Sequence, residues 1–419
     1  MSSTAPPVSP SERDSSFLIE DLDVLAGIGG FWCNDQPAIQ AGATPDGFFF
    51  QGGPVTPGFQ AIREPSTAFL CVARLEDGFE VQGDCTTVAN AGYSGRPPPL
   101  RADDVAVVRD ALARVLAGRR FSGFLDSLRA LEGLDLPARL LPPVAFGASQ
   151  LLLAAAAFSR RTSMAAVLRR ELGREGDVVR VPGLAGSCGN EGQQNIDKAI
   201  ARHVAMFPQS AIQTRGECER LPELVSWIAQ RIGEIGGPDY RPDLHFDFHS
   251  VLGRMFDEDE DRVFDYLAEV VGRAGGLAVY FEDPVLARGP AEAAERMARL
   301  RERIRAAGLA SGLIADQWAN EGEQIRLFLD AGAADAIQIK LPDNGSILNA
   351  VRSVEACQAA GVLAYLGGSC NETDVSTRVT AHLAVALDVW RVFTKPGLGF
   401  DEGLMILTNE MKRAAHSLR

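Results

Sequence analysis

Three acidic residues follow apolar segments at nearly equal spacing. Asp247 follows "LHF", Glu282 follows "AVYF" and Asp316 follows "GLIA", about 35 residues apart in each case, the length of one strand–helix unit. If each segment is a strand of one parallel sheet, the carboxylates meet at one edge, where like charges repel unless a cation bridges them. Carboxylate oxygens suit Mg²⁺. The spacing predicts a magnesium site, although each acid alone is more typical of a helix cap. His245 and His249, which flank Asp247, could orient the neighbouring carboxylates or serve only in packing, and packing is the favoured interpretation.

A lysine closes the next apolar segment, "IQIK". Because Lys340 lies between apolar neighbours, we expect its amine to be buried and its pKa to be lowered by burial and by a nearby cation. A neutral amine beside a metal-held carboxylate can remove the neighbouring C–H proton. The alternative is an ion pair with purely structural value.

The stretch "YLGGSCNETD" crowds small, polar and acidic residues behind another apolar segment. Ser369 and Glu372 have the spacing of a helix capping box, which predicts a helix that starts at Ser369. Gly367 and Gly368 leave backbone amides open to another molecule, and amides at a helix start suit an anion. An ordinary tight loop with a capped helix is the competing interpretation.

The elements that must position these residues alternate between strands and helices from about residue 178 onward. Apolar segments such as "DLHFDFH" and "GLAVYFEDP" alternate with amphipathic ones such as "EDRVFDYLAEVVGRAG". About 230 residues of this pattern fit a (β/α) barrel, whose active groups lie where strands end. The glycine spacing of a dinucleotide-binding fold is missing after the first strand, so that fold is set aside.

The chain is predicted to have four parts. Residues 1–16 are polar and proline-rich and are expected to be a disordered leader. Residues 17–175 contain strands followed by helices, which predicts an α+β domain. Residues 176–400 form the barrel, and residues 401–419 form a C-terminal segment that is expected to pack back on the N-terminal domain.

Composition narrows the class of partner. The 419-residue chain carries a net charge of −14, and its seven cysteines include no CxxC pair. These features argue against nucleic acid, anionic membranes and a disulfide framework. The apolar runs are too short to predict a transmembrane helix, and the start does not look like a signal sequence. We expect a cytoplasmic protein that acts on small molecules.

The residues with this spacing resemble the metal triad and the base of the enolase superfamily. More narrowly, the segments "GFWCNDQPAIQAGATPDGFFFQG", "YRPDLHFDFHSVLG", "IQIKLPDNG" and "KPGLGFDEGLMILTNEM" resemble the methylaspartate ammonia-lyase family, and the resemblance extends over nearly the whole chain. It implies an α/β fold, a TIM-type (β/α) barrel with an N-terminal α+β capping domain, and a homodimer. It also implies Mg²⁺-dependent elimination of ammonia from 3-methylaspartate, giving mesaconate through a metal-stabilised enolate. The resemblance leaves open whether a monovalent cation such as K⁺ is also required.

The resemblance also assigns roles within the site. The three spaced carboxylates would bind Mg²⁺, and Lys340 would take the C3 proton of a (2S)-amino diacid. Gln338 would hold the carboxylate bound to the metal, whereas Ser369 and Cys370 would hold the other carboxylate, largely through backbone amides. Cys370 is not expected to be a nucleophile, because the nearby sequence offers no histidine to activate it.

Three positions depart from the family pattern. Gln209 occupies the place of a second acid–base histidine, and His203, expected on the same helix, is a candidate to compensate. Ser187, or Gly186 under a one-residue shift, replaces a substrate-binding glutamine, and Gln317 replaces a glutamate. Glutamine does not titrate, so chemistry at the opposite face of the substrate loses its base, while the lysine face stays complete. We expect an altered substrate pocket.

Three functions remain open at this point. The first is a carbon–nitrogen lyase that acts on 3-methylaspartate or a related 3-substituted aspartate, a small dicarboxylate amino acid. The second is a dehydratase or epimerase of the same superfamily that acts on another amino- or hydroxy-diacid, which Gln209 favours. The third is a non-catalytic relative that binds a metal–carboxylate ligand. The intact triad and Lys340 argue against the third, since a binding protein gains little from a buried base.

Overall fold

The structure, a computed structural model, describes residues 16–189 and 192–419. The predicted leader, residues 1–16, lies outside the described residues except for Ser16. The rest of the chain forms an N-terminal antiparallel sheet with its helices and a closed parallel barrel. This arrangement confirms the predicted fold class.

The N-terminal domain is built on a four-stranded antiparallel sheet. The domain contains these four strands and a separate two-stranded hairpin, numbered in chain order as β1 (Phe17–Asn34), β2 (Pro45–Asp46), β3 (Phe49–Phe50), β4 (Arg63–Leu75), β5 (Glu80–Cys85) and β6 (Arg119–Phe121). Its helices are α1 (Gln36–Gln40), α2 (Val105–Leu116), α3 (Phe124–Leu128), α4 (Leu141–Ser159) and α5 (Met164–Glu171). The sheet order is β5-β4-β1-β6, and β2 pairs with β3 in a small hairpin.

Helix α4 lies directly on this sheet because two glycines remove the side chains between them. A Cβ atom on Gly147 would come within 2.4 Å of Cys85 Sγ, and one on Gly83 would come within 2.2 Å of the Gly147 carbonyl oxygen. By length and composition alone, the helical stretch Ala138–Ser159 could cross a membrane, but 78% of its apolar window is buried inside the protein. That burial favours a core helix.

The barrel has eight parallel strands in the closed order β10-β11-β12-β13-β14-β7-β8-β9. The strands are β7 (Gly183–Ala185), β8 (Met206–Ala211), β9 (Asp243–Asp247), β10 (Val279–Glu282), β11 (Ser311–Ala315), β12 (Ala336–Ile339), β13 (Leu363–Leu366) and β14 (Arg391–Phe393). The helices are α6 (Gly192–Ala201), α7 (Arg215–Ile235), α8 (Val251–Met255), α9 (Glu260–Arg273), α10 (Pro290–Ala306), α11 (Gly322–Asp330), α12 (Leu341–Asn344), α13 (Ile347–Ala359), α14 (Asp374–Leu387) and α15 (Phe400–His416).

The two-residue alternation of the strands decides which side chains enter the barrel. Six strands contribute one residue each to an apolar cluster inside it, namely Ala185, Met206, Ile314, Ala336, Tyr365 and Phe393. Two positions after Ile314 comes Asp316, and two after Ala336 comes Gln338, so both reach the mouth from the inner face. Apolar residues therefore fill the barrel, and polar residues line its mouth.

The structure contradicts the helix predicted for His203 and Gln209. Residues 206–211 form strand β8, which pairs with β9, and Pro208 within it has no N–H for a helical hydrogen bond. His203 lies in the turn before β8, exposed to solvent, and its ring stacks on Tyr240 with 4.7 Å between the ring centroids. The idea that His203 compensates for Gln209 is wrong.

The helix predicted to start at Ser369 starts later. Helix α14 begins at Asp374, and Thr373 with Ser376 forms its capping box. The Glu372 carboxylate accepts a hydrogen bond from the Ser369 N–H at 2.9 Å, so the spacing recognised in the sequence stabilises a loop rather than a helix end.

The C-terminal helix α15 packs against α14, and the hydroxyl oxygens of Ser417 and Ser163 lie 2.7 Å apart just beyond its end. Ser163 is the N-cap residue of α5 in the N-terminal domain. The last residues of the chain therefore contact both the barrel and the N-terminal domain.

Candidate active site

Neighbouring barrel strands bring buried carboxylates together at the mouth. Asp247 and Glu282 end β9 and β10 and lie opposite each other in the parallel register. Asp283 follows Glu282 with a φ of 44°, and one oxygen atom from each of these three residues lies within 4.8 Å of the other two. Asp283 also accepts hydrogen bonds from the N–H groups of Asp316 (3.2 Å) and Gln317 (2.7 Å), which ties the end of β10 to the end of β11.

This acidic cluster has the donor set of a divalent-metal site. Burial and the neighbouring carboxylates raise the pKa of Glu282 and of Asp283 well above their ordinary values, and burial also raises the pKa of Asp247. Such pKa values reflect the cost of holding several negative charges together away from water. A bound cation would remove that cost, and oxygen-only ligands favour a hard divalent ion.

Asp316, the third acid predicted from spacing, lies near this cluster, where its negative charge acts on the other carboxylates. Its carboxylate forms ion pairs with two basic side chains. Its Oδ2 lies 2.6 Å from Lys340 Nζ, and its Oδ1 lies 2.9 Å from Arg96 Nη2. Burial opposes ionisation of Asp316, but Lys340 and Arg96 outweigh burial and lower its pKa to about 2. Arg96 also donates to Asp343 at 2.8 Å, so an arginine of the N-terminal domain bridges two acids of the barrel.

The pKa of Lys340 differs from the sequence-based expectation. Burial favours the neutral amine, but the Asp316 carboxylate outweighs it, and the pKa of Lys340 lies above its ordinary value. With the protein's own charges, Lys340 is therefore an ammonium paired with Asp316. Arg96 opposes this increase but does not outweigh Asp316, so the expected lowering of the pKa needs further positive charge near Lys340.

Two histidines interpreted as packing residues contact the acidic cluster instead. His245 Nε2 lies 2.7 Å from Glu282 Oε2, and burial lowers the pKa of His245 to about 3, so the ring is neutral. The His249 N–H donates to Asp247 Oδ1 at 3.1 Å. Both histidines therefore orient carboxylates of the cluster.

Gln338 and the loop after β13 close the next side of the mouth. Gln338 Nε2 donates to Glu282 Oε1 at 2.7 Å. A Cβ atom on Gly367 would come within 2.4 Å of the Gln338 side chain, and one on Gly368 within 2.3 Å of the Phe393 ring. These glycines make room for neighbouring side chains of the protein, which is a different role from the predicted approach of a ligand.

The loop predicted to bind an anion lies after β13, as expected, but not all of its backbone N–H groups are available to a ligand. The Ser369 N–H is already bonded to Glu372, whereas Cys370 adopts a left-handed conformation with a φ of 67°. Burial raises the pKa of the Cys370 thiol to about 12, which agrees with the expectation that it is not a nucleophile. Behind the loop, Lys395 Nζ bonds Glu372 Oε1 at 3.0 Å and the Gly367 carbonyl oxygen at 2.8 Å, and this ion pair is completely buried.

The remaining predicted pocket residues lie at the ends of β7 and β8. At Gly186 a side chain would point away from the mouth, since a Cβ atom there would meet Val204 and the Phe400 ring. Ser187 is the next residue, and its N–H donates to Thr394 Oγ1 at 3.1 Å. Gln209 is buried and has a φ of 44° where β8 shifts register against β9. Alternation favours Ser187 over Gly186 as the residue that faces the mouth.

Sequence reasoning missed Arg96, left Asp283 out of the predicted metal triad, and favoured packing over the orienting role for His245 and His249. Asp283 had an available signal, because it stands beside Glu282 at the end of the same apolar segment. Arg96 had none, because it is a single arginine in a glycine- and proline-rich segment, 220 residues from Asp316.

Two family models together match almost the whole chain. The model described as "Methylaspartate ammonia-lyase N-terminus" matches residues 17–173, and the one described as "Methylaspartate ammonia-lyase C-terminus" matches residues 178–419. The methylaspartate ammonia-lyase of Haloarcula marismortui is 38% identical over 94% of this chain and 96% of its own length. That of Citrobacter amalonaticus is 36% identical over 93% and 96%.

Solved structures show the same likeness. The Mg-complex of β-methylaspartase from Clostridium tetanomorphum has a TM-score of 0.86 at 32% identity and covers 96% of this chain and 99% of its own. The Citrobacter amalonaticus enzyme containing (2S,3S)-3-methylaspartic acid has a TM-score of 0.89 at 34% identity, with coverage of 96% and 99%. A muconate lactonizing enzyme from Pseudomonas putida shares the fold alone, with a TM-score of 0.62 at 18% identity and coverage of 88% and 84%.

Proposed function

Because this chain belongs to the methylaspartate ammonia-lyase family, and is therefore a carbon–nitrogen lyase, we propose that it eliminates ammonia from 3-methylaspartate or a related 3-substituted aspartate with Mg²⁺ at the barrel mouth. The observation that carries the proposal is the position of Lys340, 2.6 Å from an acid of the carboxylate cluster. A base and a cation site lie side by side, as removal of a proton next to a carboxylate requires.

The carboxylates of Asp247, Glu282 and Asp316 would hold the cation, and Asp283 stands within reach of the first two. When bound, a divalent cation would neutralise charge that develops on a substrate carboxylate and offset the negative charge that keeps Lys340 protonated. Gln338, now bonded to Glu282, would turn its amide toward the same substrate carboxylate.

The chain's own residues then account for the elimination. Neutral Lys340 takes the C3 proton, and the electron pair of that C–H bond becomes the C2–C3 double bond. The C2–N bond breaks with its electron pair on nitrogen, so the ammonium group leaves as ammonia and Lys340 keeps one proton to return to solvent. Ser369, Cys370 and Ser187 would contact the end of the substrate that lies away from the cation.

Gln209 supports one alternative. Since its amide does not titrate, a proton transfer at the opposite face lacks a base at this position, which favours a reaction of another substrate that needs only the Lys340 face, as a dehydratase does; an epimerase would need a base at both faces. Its burial at a register shift of β8 places it beside the mouth rather than on the surface.

One assay separates these functions. Purified protein with Mg²⁺ is offered a panel of 3-substituted aspartates, and ammonia, conjugated diacid and deuterium incorporation from D₂O are measured. Ammonia released together with the unsaturated diacid supports the lyase. Deuterium exchange without ammonia supports the alternative, and silence in all three measurements contradicts the lyase and leaves the non-catalytic relative that binds a metal–carboxylate ligand. The homodimer, the use of K⁺ and the cytoplasmic location stay predictions.

A further inference from the structure

Gln36, the first residue of α1, combines complete burial with an unused amide. Its exposed fraction is 0%, yet neither Nε2 nor Oε1 has a hydrogen-bond partner within the described ranges. A buried amide that makes no hydrogen bond destabilises the folded protein, because its hydrogen bonds to water have been lost and not replaced. A ligand that hydrogen-bonds to the Gln36 amide would remove this destabilisation.

Helix α1 packs against the barrel mouth through Gln40. Gln36 and Gln40 are four residues apart and therefore share one face of the helix. Gln40 Nε2 donates to the His249 carbonyl oxygen at 2.8 Å, and the His249 N–H in turn bonds Asp247 in the carboxylate cluster. The helix face that carries Gln36 is thus held against the mouth on the Asp247 side.

The chain just before Gln36 is tied to the opposite side of the mouth. The Asn34 N–H donates to the Ala89 carbonyl oxygen at 2.8 Å, and the Ala89 N–H donates to the Ser369 carbonyl oxygen at 2.8 Å. Gln36 therefore lies between two anchored points, one beside the metal-binding acids and the other beside the loop that follows β13.

We propose that Gln36 is a substrate-binding residue supplied by the N-terminal domain, whose amide N–H₂ donates to a carboxylate and whose carbonyl oxygen accepts from the ammonium group of an amino diacid. The assignment rests on the proposed function and adds a determinant that the barrel does not provide. An amide suits this role because it offers a donor and an acceptor side by side without adding charge to an acidic mouth.

The test replaces Gln36 by methionine, which has a similar length and no strong hydrogen-bonding groups. Binding of 3-methylaspartate and of aspartate to Mg²⁺-loaded protein is measured by calorimetry in a Lys340→Ala background, so that no turnover interferes. Gln36→Met should raise the dissociation constant at least about tenfold without lowering the unfolding temperature, since the amide makes no hydrogen bond to the described residues and methionine fills a similar volume. In the enzyme with Lys340 intact, the same change should lower kcat/KM.

Gln150 provides the matched control. It is also fully buried in the N-terminal domain, but both of its amide groups bond the Asp84 backbone. Gln150→Met should lower the unfolding temperature and leave the dissociation constant unchanged. The proposal is overturned if Gln36→Met binds as tightly as its parent, or if its only defect is a smaller fraction of binding-competent protein. A lack of ammonia release by the unaltered enzyme would instead contradict the proposed function.

Discussion

At the scale of single residues, replacement of Lys340 tests the proposed base separately from the proposed metal site. Lys340→Ala should reduce exchange of the substrate C3 hydrogen with D₂O by about 10²–10⁴-fold, because no other group is assigned to take that proton. Mg²⁺ should still bind, since the carboxylates of Asp247, Glu282 and Asp316 remain and Asp283 stays within reach of the first two. Deuterium incorporation followed by NMR and calorimetric titration with Mg²⁺ measure the two effects.

The surface lysine Lys198, which pairs with Asp401 at 2.8 Å, supplies the control. Lys198→Ala should leave exchange unchanged. Exchange that survives in Lys340→Ala would place the base elsewhere.

The proposed role of Gln209 concerns the face of the substrate opposite to Lys340. Gln209→His should raise kcat/KM at least about tenfold for the 3-epimer whose C3 proton faces away from Lys340, because an imidazole can exchange a proton where an amide cannot. The backbone tolerates the change, since Gln209 has a φ of 44° and histidine is among the residues enriched in that region. Steady-state kinetics on both epimers measure the effect. Gln209→Asn keeps an amide and should show no gain, and equal kinetics for all three proteins would mean that this position does not correspond to the family histidine.

At the scale of elements, the segment that carries Arg96 joins the two domains at the site. Arg96 is fully buried between Asp316 and Asp343, and nearby Asn320 Nδ2 donates to the Ser94 carbonyl oxygen at 2.7 Å. Arg96→Met should destabilise the protein by about 3–5 kcal/mol, because two buried acids lose their partner. Chemical denaturation followed by fluorescence measures the loss.

A second arginine of the same domain tests whether burial is the cause. Arg139 pairs with Asp104 at 2.7 Å, with 38% of the arginine side chain exposed. Arg139→Met should cost at most about 1 kcal/mol, as partly exposed ion pairs do. Similar losses for the two variants would show that the Arg96 bridge contributes no more than an ordinary surface pair.

Secondary-structure elements could be predicted from the sequence where a single pattern was present. The predictions were wrong where strand, helix and capping patterns overlapped. The acids and Lys340 were found because apolar strands of one repeated unit end just before them. Strand β8 was missed because "MFPQSA" is short and follows a helix, so its apolar residues extended the helical pattern. Ser369 and Glu372 have capping-box spacing, but Lys395, more than 20 residues away, engages the glutamate, and Thr373 caps the helix instead. Contacts between distant segments decided each case.

At the scale of the whole molecule, two domains and a net charge of −14 surround one acidic mouth. The barrel contributes the carboxylates, while the N-terminal domain contributes Arg96 and the contacts of Gln40 and Ala89. Neither domain alone satisfies the buried charges, since Asp316 and Asp343 depend on Arg96. Folding, docking of the domains and preparation of the site are therefore coupled.

Uptake of a divalent cation should consequently stabilise the entire fold. An ion that binds only the native state at about 100 times its dissociation constant adds about 2.7 kcal/mol, so Mg²⁺ should raise the unfolding temperature and EDTA should reverse the increase. Glu282→Gln should remove most of the gain, because Glu282 is completely buried within the cluster. Glu234→Gln, at an exposed ion pair with Arg231, should keep it. Calorimetric scans with and without Mg²⁺ measure the difference, and an equal gain in both variants would mean that the ion acts on the acidic surface rather than at the mouth.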